Sequence, residues 1–326
     1  MIFMVAKSLL KSAACQYGIR AKALNFISDS TNEIYRFPKN GTNYIMRFSR
    51  RPPSALAAIE AEMDWLAYLS RAGMHVSLPL AAANGTLAVA IENKNEHWVI
   101  SAFEMAGGRF WDKNNPALWN RRIFHNWGKT TGELHAITKQ YNPPNPIARE
   151  HFQNPYIWSE NIQTCPALHQ KACEITDEIN ALPRGADAYG LIHCDIHPWN
   201  FHIDGDAVRL FDFDDTIFGW HALDIGIALY HALWWGRGND AGYDFTHEII
   251  GSFLEGYLLA NKLDPFWIKK IPLFMRFRQV CKFSWFYDPA QKDAHAKERI
   301  DNILQGRLFT GHTLPMELFD FGSLRQ

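Results

Sequence analysis

Between Leu191 and Asp215 the chain reads Leu-Ile-His-Cys-Asp-Ile-His-Pro-Trp-Asn-Phe-His-Ile-Asp-Gly-Asp-Ala-Val-Arg-Leu-Phe-Asp-Phe-Asp-Asp, and no other stretch restricts the fold so tightly. His193, Asp195 and Asn200 are spaced H-x-D-x-x-x-x-N, and beyond Asp204-Gly205-Asp206 an apolar run ends on Asp212. Asp-Gly is a strong hairpin signal, so Phe201-His202-Ile203 is predicted to fold back on Val208-Arg209-Leu210-Phe211 and to bring Asn200 and Asp212 to the same end.

Phosphoryl transfer from ATP accounts for these residue types. A carboxylate, Asp195, accepts the proton of the attacking hydroxyl, and an amide oxygen five residues on, that of Asn200, reaches a magnesium ion from the same loop. Asp212 supplies the second carboxylate, because magnesium prefers oxygen ligands and takes only one or two of them from the protein beside the phosphates. Asp214 follows as a carboxylate behind the metal. His193, His197 and His202 lie on a loop and a strand rather than on one helix face, which does not read as a zinc site. His193 is read as the residue that orients the loop.

On these residues the stretch resembles the aminoglycoside phosphotransferase and choline kinase superfamily, small-molecule relatives of the protein kinases. Protein kinases read H-R-D-L-x-x-x-N and then D-F-G, whereas this chain has His193-Cys194-Asp195 and Asp212-Phe213-Asp214, a departure that points to the bacterial small-molecule branch. The resemblance implies an α+β, two-lobed protein-kinase-like fold. A small β-rich N-lobe over residues 1–105 would bind nucleotide, and a larger, mainly helical C-lobe over 106–326 would carry the catalytic loop, metal site and substrate helices. ATP and Mg2+ follow as cofactors, and the acceptor as a hydroxyl of a small metabolite of homoserine, choline or sugar type.

Further residues take roles from the same resemblance. Where the family's third strand carries a lysine for the nucleotide phosphates, this chain has Arg47, which stays charged and forks onto a carboxylate or phosphate. Glu62, counted back from the apolar end Leu66 to Leu69, matches the helix glutamate that pairs with that cation. The glycine-rich cover of protein kinases is replaced by Ser28-Asp29-Ser30-Thr31-Asn32, so Ser28 and Ser30 become candidate phosphate contacts through hydroxyls and backbone amides. Glu104 and Met105 fall at the hinge whose backbone meets the adenine edge. Asp224 matches the aspartate that holds the backbone of the catalytic loop.

Patterning along the rest of the chain fits this order. Leu9, Leu10, Ala13, Ala14 and Tyr17 recur at helical spacing before Gly18. Strands are expected around Asn25, Glu33 and Thr42, with hairpin signals at Asn40-Gly41 and Asn84-Gly85, and another over Trp98–Phe103. A helix over 57–69 places Ile59, Met63, Leu66 and Leu69 on one face, with Glu60 and Glu62 off it. Helices are predicted over 124–137, 167–182, 243–259 and 265–287, and one opening at Thr216. His135 reads as a packed or capping histidine. The prolines of 143–146 and 155 mark a loop excursion near the substrate mouth. Trp234, Trp235, Trp285, Phe286 and Tyr287 offer an aromatic stripe, read first as core and second as a cation–π box.

Composition narrows the partner. The 326 residues are 47% hydrophobic with a net charge of −1, enough for two cores and without the basic face a nucleic acid needs. Five cysteines with no C-x-x-C pair argue against a disulfide framework and for a reducing, cytoplasmic setting. No apolar run approaches the ~20 residues that span a bilayer. From Thr216 onward acidic and basic residues balance, so a polycationic aminoglycoside is not the expected acceptor. Arg276 and Arg278, two apart on a helix, diverge, and the one facing the site would favour an anionic or zwitterionic metabolite. Two other readings compete: a compact bacterial serine/threonine protein kinase, opposed by the eleven residues between Asp212 and Asp224 that leave little room for an activation segment, and a nucleotide-binding pseudokinase, opposed by the complete Asp195, Asn200, Asp212 set.

Overall fold

A computed structural model describes residues 5–144, 149–152, 159–235, 243–288, 296–309 and 313–314. Its Cα positions divide into two compact units. The first comprises 1–107 with two returning segments, 141–149 and 209–214, and the second comprises 108–140, 150–208 and 215–326.

The first unit is built on an antiparallel sheet. Strands β1 (Asn25–Asp29), β2 (Glu33–Lys39), β3 (Thr42–Arg50), β4 (Ala88–Asn93) and β5 (Glu96–Glu104) lie in the order β1-β2-β3-β5-β4. Asn40 and Gly41, both at positive φ, close the β2–β3 hairpin as their sequence demands. The β4–β5 hairpin closes elsewhere than Asn84-Gly85. Lys94 and Asn95, with φ of 51° and 65°, make that turn, and asparagine's tolerance of the left-handed region lets it form without glycine. Tyr35, Phe37, Met46, Phe48, Trp98 and Ile100 form a core with Leu9 and Ala13 of helix α1 (Lys7–Gln16) and with Tyr17 just after it.

Helix α2 (Leu56–Arg71) buries Ile59, Met63, Trp65, Leu66 and Leu69, and also Glu62. The expectation that Glu62 lies off the buried face is therefore corrected. Periodicity alone treats every carboxylate as a solvent group, and here a buried arginine partners it.

The second unit is mainly helical. Helix α3 (Arg121–Thr138), capped by the Asn120 side chain accepting from Ile123 N–H, packs along α6 (Tyr243–Ala260). Their backbones approach so closely that a Cβ on Gly128 would lie 1.8 Å from the Phe253 carbonyl oxygen, and one on Gly256 1.9 Å from that of His125. Helix α5 (His221–Trp235) is buried from His221 to Leu233 and packs against α7 (Pro265–Phe286), with α4 (Pro166–Asn180) and α8 (Ala296–Leu304) beside α7. The helix expected to open at Thr216 begins instead at His221. Ile217, Phe218 and Trp220, residues that suit a pleated surface, form a strand over Ile217–Trp220 paired with Tyr189–Ile192. Numbered in chain order, Tyr189–Ile192 is β6, Phe201–Asp204 β7, Ala207–Leu210 β8 and Ile217–Trp220 β9, and β7 and β8 form the hairpin expected across Gly205. A short β10–β11 pair (Leu308–Phe309, Thr313–Leu314) follows.

Arg109 exchanges backbone hydrogen bonds with Ile203 of β7. Gly108 just before it has a φ of 98°, and a Cβ there would sit 2.5 Å from the Ile203 carbonyl oxygen, so only glycine fits. Pro146 and Asn154-Pro155 of the expected loop excursion lie outside the described residues.

Candidate active site

The loop between β6 and β7 is fixed from below by Asp224, in the first turn of α5. Its two carboxylate oxygens accept from the backbone N–H groups of His193 (3.0 Å) and Cys194 (2.7 Å). Cys194 has a φ of 66°, a conformation that disfavours a side-chain-bearing residue unless its surroundings hold it. The two bonds from Asp224 do so.

A polar chain missed by sequence reasoning stands behind that clamp. Asn261 Nδ2 donates to the Tyr257 hydroxyl (2.8 Å), the hydroxyl lies 2.8 Å from His135 Nδ1, and His135 Nε2 lies 3.1 Å from Asp224 Oδ2. Because the Tyr257 oxygen already accepts, its proton points to Nδ1, and Nε2–H is left to donate to Asp224. Burial pushes the His135 pKa down to about 3, so this is a neutral imidazole bonded to a carboxylate, not an ion pair. Burial pushes Asp224 up to about 6 despite the His193 charge and the N–H groups it accepts from. A helix histidine with a tyrosine and an asparagine far along the chain carries no local signal that predicts this chain.

Asp195 stands on the clamped loop. The Asn200 amide donates to the Asp195 backbone oxygen (3.0 Å) and to Oδ2 (2.9 Å). That orientation turns the amide oxygen, the end a hard cation takes, to the other side. His197 Nε2 lies 3.3 Å from Oδ2, and Arg278 of α7 forms an ion pair with Oδ1. Burial raises the carboxyl pKa, but Arg278 first and His197 next outweigh it and hold Asp195 well below the usual carboxylate range. His193 is fully buried, so it belongs to the loop's interior. Arg276 turns away toward Glu178 (3.9 Å), which separates the two arginines in direction as their spacing requires.

Aromatic rings border this group. The His197 ring lies 5.3 Å from Trp235 and 5.1 Å from His231, and Trp111 lies 5.5 Å from Trp199. Trp199 and Phe110 are exposed. Of the aromatic stripe, Trp235 enters this group. Trp234 stacks with Tyr230, Tyr287 with Phe283, Trp285 is exposed, and the Phe286 side chain lies outside the described residues.

The first unit holds a second charged cluster. Arg47 on β3 is buried and forks onto Glu62 of α2, Nη1 to Oε1 at 3.0 Å and Nη2 to Oε2 at 2.6 Å. Asp214 Oδ1 and Asp212 Oδ1 lie 3.7 and 3.9 Å from Arg47 Nη1. Burial opposes the charge of Arg47, yet Glu62, Asp214 and Asp212 together hold it protonated. Asp214 is not a solvent carboxylate. Its Oδ2 accepts from Arg51 (2.5 Å) and Asn32 (3.1 Å), and its backbone oxygen accepts from Arg149 (3.1 Å). Asp212, with a φ of 62°, leaves its side chain about half exposed at 51%. Arg51 and Arg149 were not singled out in the sequence, one being next to a proline and the other in an unpatterned loop.

The remaining expected residues sit at the edges of this unit. Ser28 lies on β1, opposite Ile34, so the turn itself is Ser30–Asn32, where Ser30 N–H donates to the Asn32 oxygen (3.2 Å). The Glu104 N–H donates to Leu78 O (2.7 Å) and that of Met105 to Asn43 O (3.0 Å), so any adenine contact at these two residues falls to their carbonyl oxygens. Among the described residues, no three His, Cys, Asp or Glu side chains group to hold a metal by themselves, and no helix is long and apolar enough to cross a membrane.

Residues 23–265 match the phosphotransferase enzyme family. The amicoumacin kinase of Bacillus subtilis strain 168 is 29% identical over 331 residues, covering 98% of this chain and 96% of its own. A solved amicoumacin kinase, in complex with AMP-PNP, Ca2+ and Ami, superposes with a TM-score of 0.86 at 28% identity, over 99% of this chain and 98% of that one. A microcompartment-associated aminopropanol kinase shares the fold, with a TM-score of 0.74 at 21% identity, over 92% of this chain and 95% of the other. With a sheet-bearing unit, a helical unit and a family match that spans most of its length, the chain belongs to the phosphotransferase enzyme family, as a small-molecule kinase.

Proposed function

We propose that this protein transfers the γ-phosphoryl group of ATP to a hydroxyl of a small metabolite in a magnesium-dependent reaction. The observation that carries the reading is Asp195, held ionised beside the amide of Asn200 on a loop that Asp224 fixes at two backbone N–H groups. Asp195 orients the acceptor hydroxyl and takes its proton as the new O–P bond forms and the bond between the γ-phosphorus and the leaving ADP oxygen breaks.

Two residues would serve as magnesium ligands, Asp212 through its half-exposed carboxylate and Asn200 through its amide oxygen, each a hard oxygen donor of the kind the ion takes beside phosphates. When bound, the ion neutralises charge on the phosphates. Asp214 keeps Arg47 and Arg51 in place behind Asp212. Arg47, set by Glu62, serves as the phosphate-side cation in place of the usual lysine, with Ser28, Ser30 and the Glu104 and Met105 carbonyls as further nucleotide contacts. His193 and Asp224 position the loop.

β9 starts two residues after Asp215 and α5 follows at once, which leaves a peptide substrate no activation segment to dock on and favours a small acceptor over a protein. A screen of ATP turnover against amicoumacin, aminopropanols, hydroxy amino acids, choline, sugars, aminoglycosides and a generic protein tests the reading. At least one small alcohol should yield ADP and phosphorylated product in stoichiometric amounts, lost by orders of magnitude in a folded Asp195→Asn variant. Unchanged turnover in that variant removes Asp195 from the role, and product only with the protein substrate refutes a small acceptor.

A further inference from the structure

Arg278 sits where the acceptor must be read. It leaves α7 to place Nη2 on Asp195 Oδ1, and its Nε–H donates to His231 Nε2 (2.9 Å), which fixes the plane of the guanidinium. Burial and the adjacent arginine charge push the His231 pKa far down, so its ring is neutral and acts as the acceptor. The bonds to Asp195 and His231 use one edge of the arginine fork, and a guanidinium carries further N–H donors but no acceptor. Its side chain keeps 17% of its exposure, equal to that of Asp195.

Lys282 stands one helical turn beyond Arg278 on the same face of α7, with Nζ 5.2 Å from the centroid of the Trp235 ring, the ring that also borders His197. Burial, and then the Arg278 charge, push Lys282 down to about 8. Among the described residues, Asp195 acts on both cations, and Asp215, which also acts on Arg278, is exposed. A hydroxyl resting on Asp195 therefore presents its neighbouring atoms to donors and positive charge.

We propose that Arg278, supported by Lys282, is the specificity-determining pair of this kinase and receives a carboxylate or carboxamide oxygen two or three carbons from the hydroxyl that is phosphorylated. This rests on the assignment of Asp195 under the proposed function. The device acts on rate as well as binding, because an acyl oxygen that takes up the outer N–H groups of Arg278 fixes the acceptor with its hydroxyl against Asp195. An alcohol without that oxygen lacks this second point of attachment. An acceptor that brings only ammonium groups adds positive charge where two cations already stand.

The test uses matched acceptors: L-threonine, L-threoninamide and 1-aminopropan-2-ol, and L-homoserine, L-homoserinamide and 3-aminopropan-1-ol. In each series only the acyl group changes. The acid or the amide should exceed the decarboxylated alcohol at least tenfold in kcat/KM, with part of the difference in kcat. Arg278→Gln should bring the ratio close to one, and Arg278→Lys should restore part of it. Lys282→Gln should reduce the preference for acid over amide while sparing that for amide over decarboxylated alcohol, which separates charge from hydrogen bonding. If Arg278→Gln does not fold, Arg278→Lys and Lys282→Gln carry the comparison.

Equal or better turnover of the decarboxylated alcohols overturns the proposal, as does a preference for the acyl compounds that survives unchanged in folded Arg278→Gln. A wild-type enzyme that phosphorylates other alcohols but no member of either series overturns it as well, while leaving the kinase assignment standing. Absence of ADP formation with every alcohol would instead refute the proposed function.

Discussion

Removing Arg47 tests the buried cluster of the first unit at its centre. Arg47 and Glu62 are 3% and 0% exposed at their side chains, and two parallel hydrogen bonds join them. Arg47→Ala leaves Glu62 charged in a buried setting, and breaking one side of such a pair costs about 3–5 kcal/mol. Arg149 Nη2, 3.6 Å from Glu62 Oε2, retains some compensation and places the expectation near the lower end. The guanidinium packing on Phe103, 5.0 Å from its ring centroid, is lost as well. A loss of about 3 kcal/mol corresponds to a fall in Tm on the order of 10 °C. Urea unfolding followed by far-UV circular dichroism measures it.

Two further variants separate stability from nucleotide binding. Arg47→Lys keeps one charge but cannot fork onto both oxygens, so it should lose less than half as much stability and keep substantial activity. The double variant Arg47→Met with Glu62→Leu removes both charges and should recover most of the stability while ATP affinity stays low. A loss below about 1 kcal/mol for Arg47→Ala, or a double variant as unstable as the two single losses added, would contradict the account of a coupled buried pair.

Two other outcomes follow from the site. The Asp224 pKa is raised in the folded protein to about 6, so the folded state binds the extra proton and the stability this group contributes is present at low pH and lost as pH rises from about 4 to 6. Activity should run the other way, since protonated Asp224 cannot accept from both backbone N–H groups. A pH–kcat profile should fall below about pH 6, and Asp224→Asn should lower kcat at pH 7; a flat profile down to pH 5 would sink the clamp. Asp212→Ala should erase the gain in ATP affinity that magnesium gives the wild type, read by calorimetry with and without the ion, and a retained gain removes Asp212 from the metal.

The sequence by itself determined what lies in short, local patterns. The H-x-D-x-x-x-x-N spacing and the Asp-Gly turn define a loop and hairpin whose contacts are few residues apart, and positive-φ turns such as Asn40-Gly41 require residues that tolerate them. Glycine at 108 and along α3 and α6 was visible as glycine, but the facing carbonyl that makes it necessary was not. Local patterning also failed where two kinds of element compete: Ile217–Trp220 became a strand because β6 was there to pair with it, and Lys94-Asn95 closed a hairpin that Asn84-Gly85 signalled more strongly.

Tertiary structure alone decided the electrostatics. Arg278 reaches Asp195 across 83 residues, Tyr257 reaches His135 across 122, and Arg51 reaches Asp214 across 163. A charged or polar residue in sequence is by default a solvated one, and its partner has no required spacing. Burial then converts such meetings into protonation states: it leaves His135 neutral, raises Asp224, and makes the ionisation of Asp195 depend on Arg278. The residue types needed for phosphoryl transfer are written in the chain, and the fold sets which of them are charged, held or exposed, because dielectric environment and partner geometry exist only once the chain is packed.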